Sequence, residues 1–244
     1  MIGYLRLEIT RSLRDPRYLL LAIAAPIGFY LLFSALFGKY QDSNGVSTTV
    51  LLMVSMGVYG AMWAVLSATG PRIAQDRSVG WLRQLRLLPV RSNAVLTARL
   101  LAAVLLAGPA LALVFVTAVL THGVTLDGWR WLVLLAVLWI GIVPIGALGL
   151  AIGYATDADS AFGVLYGLYM VLAALGGLWM PLSILPSGLQ TIGKLLPSYR
   201  AAELGWRLVG KVGLDFGGVL ILAAWLLILG LLALFFAARR TRSR

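Results

Sequence analysis

Two stretches of the chain carry the spacing of a phosphate-cradling loop. Gly188, Gly193 and Lys194 fit the pattern Gly-x-x-x-x-Gly-Lys, and Gly205, Gly210 and Lys211 fit it again. In such a loop, backbone N–H groups and the lysine hold the phosphates while a following Ser or Thr hydroxyl holds magnesium. Leu195 and Val212 stand where that hydroxyl belongs, so neither stretch reads as a nucleotide site. His122 is the single histidine, and no Gly-x-Ser-x-Gly or His-Glu-x-x-His string gives it a catalytic or zinc-binding context. Asp157 and Asp159 form an Asp-x-Asp pair that could meet a divalent cation, but the further carboxylates such a site uses are missing. They read instead as the end of one helix and the start of the next, with Asp159 as N-cap. The chain has no cysteine, hence no disulfide, thiolate nucleophile or thiolate metal ligand. No catalytic residue and no metal ligand is assigned, and the chain is read as not an enzyme.

Any chemistry must be positioned by elements that composition already constrains. Of 244 residues, 61% are hydrophobic and 12% charged, and the mean hydropathy is +0.93. Soluble domains run at about 45–50% apolar and about 25% charged, and a fold of this size could not hide the surplus. Soluble enzymes, soluble binding domains and disordered chains are excluded. An all-α integral membrane protein is predicted.

A bilayer core about 30 Å thick takes about 20 apolar helical residues to cross. Six stretches qualify: 18–37, 49–69, 96–120, 131–155, 161–180 and 216–238. Pro26, Pro109 and Pro144 fall inside them, as kinks that neighbouring helices can accommodate. Arg99 sits at the entry to the third span, from where its stem can snorkel to the surface. The formal net charge is +11; with spans this apolar it reports topology rather than a nucleic-acid partner. Placing both termini in the cytoplasm leaves fourteen basic residues inside and six outside. Residues 1–17 place Ile2, Leu5, Ile9 and Leu13 at helical spacing, which predicts an amphipathic helix along the inner membrane surface. No acidic residue is predicted at mid-membrane, where proton- or sodium-coupled carriers usually keep one.

Two connecting segments are long enough to act. The inner one, at 71–88, is basic and amphipathic, with Asp76, Arg77, Arg83 and Arg86, and closes on Pro89; it can rest on anionic lipid or be pushed by a protein. The outer one, at 181–212, holds Pro181, Pro186 and Pro197, and Glu203 lies four residues before Arg207, the spacing of a helical ion pair. On the second span Met53, Met56, Tyr59 and Trp63 fall near one face, and on the fifth so do Phe162, Tyr166 and Tyr169. Flexible Met and flat aromatic groups suit greasy, variable substrates, and ordinary helix packing produces the same stripes. Gly149 with Gly153, and Gly163 with Gly167, are spaced for close helix approach.

The inner run Asp76-Arg77, Gly80, Leu82, Leu85-Arg86 and Pro89-Val90 resembles the first cytoplasmic loop of permease subunits of type-2 ABC exporters, especially the daunorubicin-resistance-like branch. Ser78 and Trp81 depart from that pattern. The outer run from Gly177 through Pro181, Pro186 and Pro197 is similar to the segment between that family's last two spans. The resemblance covers nearly the whole chain. It implies six transmembrane helices, a helix at 1–17 on the inner surface, a cytoplasmic coupling helix at 71–88, and short re-entrant outer helices at 181–212. It further implies a dimer with a second permease copy or a paralogue, in a bacterial inner membrane among its lipids. A separately encoded ATP-binding subunit would carry ATP and magnesium, leaving no cofactor on this chain. Asp76, Arg77, Arg83 and Arg86 are then the expected ATPase contact. Met53, Met56, Tyr59, Trp63, Phe162, Tyr166 and Tyr169 are the candidate substrate path, and Pro181, Pro186, Pro197, Glu203 and Arg207 the outer gate. The function so implied is export of a hydrophobic small molecule, an antibiotic or drug (hence resistance) or a lipid-like metabolite. The alternatives are a membrane-embedded lipid-modifying enzyme and an ion-coupled secondary transporter.

Overall fold

The computed structural model describes residues 10, 14–40, 45–80 and 92–242, which are almost wholly helical. The predicted surface helix at 1–17 lies largely outside them, as do residues 81–91, which include Arg83 and Arg86. Six helical runs are long and apolar enough to cross a membrane: Leu20–Phe37, Thr48–Ser78, Thr97–His122, Gly128–Ala155, Ala158–Leu175 and Phe216–Arg239. The molecule is an all-α integral membrane protein.

Helix α1 is continuous in three pieces, Pro16–Leu19, a π-helical turn Leu20–Ala24 and Ala25–Phe37. Pro26 has no N–H to return to the preceding turn, and the widened turn just before it absorbs the mismatch. That turn rests on Gly60, where an added Cβ would stand 2.6 Å from the Ala22 carbonyl oxygen.

Helix α2, Thr48–Ser78, has 31 residues and so runs about 46 Å, well beyond the bilayer core. It is the centre of the bundle, with 89% of its most apolar window buried against 17% in the last helix. A helix enclosed on every side needs apolar or small residues all round, and Met53 to Leu66 are buried without exception. The sequence separates a span ending at 69 from a cytoplasmic helix beginning at 71. The structure instead carries one helix through Pro71 to Ser78.

Helix α3 is Ser92–His122. The fourth span is two helices, α4 Gly128–Gly141 and α5 Val143–Ala155, broken where Pro144 withdraws an N–H. Helix α6, Ala158–Leu175, stops five residues before the expected 180, because the chain turns at Gly176 and at Gly177, whose φ is +70°. A short 3-10 turn Leu182–Ile184 leads to α7 Ser187–Leu195 and α8 Pro197–Val209. Helix α9, Phe216–Arg242, closes the chain.

The starts of α1, α3 and α6 and the ends of α2, α5 and α9 share one end of the bundle, here called basal. Helices α7 and α8 cover the opposite, apical end. They do not float above it: Gly205 of α8 sits so close to α2 and α4 that a Cβ would meet Val54 at 2.6 Å and Leu138 at 2.9 Å. The Trp206 indole donates to Leu51 O (3.2 Å) and Ser55 Oγ (3.1 Å) of α2, and Ser198 Oγ donates to Leu172 O at 2.7 Å.

Candidate transport path and its two polar ends

The two stripes read from the sequence meet. Tyr59 of α2 stacks on Tyr169 of α6 with ring centres 4.7 Å apart. Trp63 lies 5.1 Å from Tyr169, 5.9 Å from Phe162 and 6.0 Å from Tyr166. Met53 and Met56 are fully buried in the same core. Two rings that the stripes did not contain complete the cluster: Phe29 of α1 and Trp179, which lie 5.9 and 5.7 Å from Tyr59. Trp179 stands in the Gly177–Pro181 run and was open to that assignment. Phe29 was hidden in a span that is apolar throughout. Aromatic side chains generally bury about 150–250 Å² and prefer tilted or offset contacts, so α1, α2 and α6 are registered by these ring pairs. The Trp63 indole N–H is buried and has no acceptor among the described residues.

Basal to Trp63 and Phe162 a cavity of about 660 Å³ opens between α1, α2 and the start of α6. Its floor is aromatic, with Tyr18, Trp63 and Phe162, and its rim is charged, with Arg14, Arg72 and Asp159. Pro71 borders it, and because Pro71 offers no N–H, the Ser67 carbonyl loses its usual helical donor there. The space is amphipathic: flat apolar groups below, hydrogen-bonding groups above.

At the basal end Asp76 and Arg77, expected to face a partner, are engaged within the chain. Asp76 forms a buried ion pair with Arg99 of α3. Arg77 Nη1 donates to the carbonyls of Gly153 (2.7 Å), Tyr154 (3.1 Å) and Thr156 (3.0 Å). One nitrogen with two hydrogens serves three oxygens, so at least one hydrogen is shared. Arg99 therefore does not snorkel; the extra turns of α2 beyond Pro71 bring Asp76 to its guanidinium. Nor does Asp159 cap α6. Asp157 occupies the N-cap position, without a side-chain cap bond, and Asp159 sits in the first turn, where a carboxylate favours the helix dipole.

At the apical end the expected Glu203–Arg207 pair is present at 3.3 Å. It belongs to a larger network, since Arg200 reaches Glu203 at 2.6 Å and Asp215 at 3.1 Å, and Arg207 lies 3.7 Å from Asp215. Asp215 just precedes α9, so the network ties α8 to the last span. Burial above all, then the Glu203 carboxylate, pushes the Tyr199 phenol above its ordinary value, keeping it neutral beside these charges. Pro186 takes the N-cap position of α7, Pro197 the first position of α8, and Pro181 the residue before the 3-10 turn. Each prolines' missing N–H falls where a helix start would leave it unused. The stretch Gly188 to Lys194 is wound into α7, and the second runs from Gly205 inside α8 to Gly210 at its C-cap and Lys211 in the turn beyond, where φ is +56°. His122 Nδ1 lies 3.2 Å from the Tyr30 hydroxyl and 2.8 Å from Thr121 Oγ1, a local apical contact.

Six helices long and apolar enough to cross a membrane, an aromatic seam through the bundle and two short apical helices make up the architecture. Residues 4–205 match the ABC-2 type transporter family, and the chain belongs to that family. A Bacillus subtilis (strain 168) protein named "Putative transport permease YvfS" is 31% identical over 228 residues, covering 93% of this chain and 92% of the relative. The chain is accordingly the transmembrane permease part of an ABC transporter, a multi-pass membrane protein that works with an ATP-binding partner.

Proposed function

We propose that the protein exports a hydrophobic small molecule (an antibiotic, drug or lipid-like metabolite) from a bacterial cell across the inner membrane. Both termini lie in the cytoplasm, and a second permease copy or a paralogue completes the transporter. ATP and magnesium reside on separately encoded ATP-binding subunits, and no cofactor on this chain. The observation that carries the substrate class is the continuity between the amphipathic basal cavity and the aromatic seam, Trp63 and Phe162 belonging to both. A molecule with a flat apolar body and a polar head would seat its head at the rim and its body on those rings. Pro181, Pro186, Pro197, Glu203 and Arg207 form the gate through which it leaves. Arg83 and Arg86 are the contact for the ATP-binding subunit, and Asp76 and Arg77 precede them in the chain.

Mass spectrometry of what co-purifies with the tagged chain in mild detergent, from its native host, tests this reading. A stoichiometric ATP-binding subunit, lost when Arg83→Glu and Arg86→Glu are combined, is expected. Recovery of that subunit undiminished with the double variant would move the contact elsewhere. Transport that collapses with the proton gradient while ATP is plentiful would overturn the ATP-driven reading.

A further inference from the structure

We propose that Asp76 and Arg77 are positioning residues that clamp the basal ends of α2, α3 and α5 into one rigid lever, about whose joint at Thr156–Asp157 helix α6 turns. Neighbouring residues on a helix point about 100° apart, so the pair addresses two partners at once. Asp76 faces α3, where it meets Arg99. Arg77 shares its face with Gly70 and Ile73, three and four residues apart, and all three lie against α5. Along that seam an added Cβ on Gly153 would stand 2.5 Å from the Gly70 carbonyl oxygen and 3.0 Å from Ile73. The two helices touch backbone to backbone, leaving no room to slide.

Arg77 then seals the end of the seam. Helix α5 finishes with carbonyls that have no intrahelical donor, at the negative end of its dipole. The guanidinium takes three oxygens there, including that of Thr156, one residue before the N-cap of α6. It therefore grips the joint between the two helices. Parting α2 from α3 or α5 would strand a buried charge or several carbonyls, which makes separation costly in any state. Beyond the joint, helix α6 is held to α2 by ring packing, by Leu165 against Gly70 and by a single hydrogen bond from the Tyr169 hydroxyl to Tyr59 O at 3.3 Å, with no ion pair or guanidinium bridging the two among the bonds described. Only 28% of its span is buried, and Gly163 and Gly167 on it meet nothing within 4 Å. A push on the connection after Ser78 thus moves three helices together and changes the angle of the fourth, the one that carries Phe162, Tyr166 and Tyr169.

The chain has no cysteine, so engineered pairs report cleanly. Spin labels at Ser78→Cys with Ala155→Cys, and at Ser78→Cys with Thr97→Cys, read the lever. A pair at Val116→Cys with Val171→Cys reads α3 against α6. In the transporter reconstituted with its ATP-binding partner, trapping the nucleotide should leave both lever distances within about 2 Å, the scale of an ordinary helix shift, and move the Val116–Val171 distance by more. Arg77→Gln should broaden the Ser78–Ala155 distance and lose the Val116–Val171 shift; Arg77→Lys should recover part of it. Lever distances that change by more than that in the native chain overturn the clamp, and this needs no variant to fold. If no ATP is hydrolysed at all, the proposed function fails instead. The Ser78–Ala155 distribution then still decides the clamp: narrow in the native chain supports it, broad overturns it.

Discussion

At the scale of single residues, the charges inside this protein are more constrained than those on it. Asp76 and Arg99 are buried, and removing one partner of such a pair typically costs about 3–5 kcal/mol, because the other is left charged and alone. Arg99→Leu should therefore lower the melting temperature in detergent sharply, while Asp76→Leu combined with Arg99→Leu should recover most of the loss. Glu203 is the shared acceptor of Arg200 and Arg207. Glu203→Gln should cost about 1.5–3 kcal/mol, the range for hydrogen bonds to charged groups, and should speed amide exchange in α8 ahead of the spanning helices. The sequence made the Glu203–Arg207 pair legible, because both partners sit on one helix at a fixed spacing. It did not reveal that Asp76 and Arg77 turn inward. Their partners, Arg99 and the end of α5, are 23 and more than 75 residues away, and no local pattern encodes that proximity. Asp76-Arg77 looks the same in sequence whether it faces a partner or a neighbouring helix.

At the scale of elements, the six apolar runs were plain because a bilayer sets a length that ordinary core helices do not reach. Which run would be central was not plain, since α2 and α9 are both apolar on every face. The available signal was composition: α2 holds Ser55, Gly57, Gly60, Thr69 and Gly70, the small residues that let helices approach closely in lipid. The Gly spacings divide in the same way. Gly149 packs against the Thr69 hydroxyl and Gly153 against Gly70, whereas Gly163 and Gly167 face open space. Gly153→Leu should prevent stable folding of the bundle, measured as loss of monodisperse protein in size-exclusion chromatography. Gly163→Ala should be tolerated and gain up to about 1 kcal/mol of helix propensity. Helix ends are the least legible feature, because Pro71 marks a break in the sequence that α2 does not make, and nothing in the apolar run to 180 marks the turn at Gly177. A proline stops a helix only when the freed carbonyl cannot be accommodated, and beside a polar cavity that constraint is relaxed.

For the whole molecule, the predicted orientation is checked by the same absence of cysteine that serves the distance measurements. Single cysteines at Thr125 and Gly213 should react with an impermeant maleimide on intact cells, and one at Ser160 only after permeabilisation. The reverse pattern would invert the topology. The proposed second copy has room to approach at the open Gly163–Gly167 face. Gly167→Trp should leave the chain folded and lower the dimer fraction measured by size-exclusion chromatography with light scattering. A further consequence comes from how unevenly the helices are wetted. Helices α1, α6 and α9 are left mostly uncovered by the rest of the chain, while α2 is enclosed by it for most of its length. Mismatch between hydrophobic length and bilayer thickness is relieved by tilt, at a cost of fractions of a kcal/mol per ångström, and only wetted helices feel it. A change in bilayer thickness should therefore act first on the tilt of the outer helices, against a central post that the rest of the chain encloses.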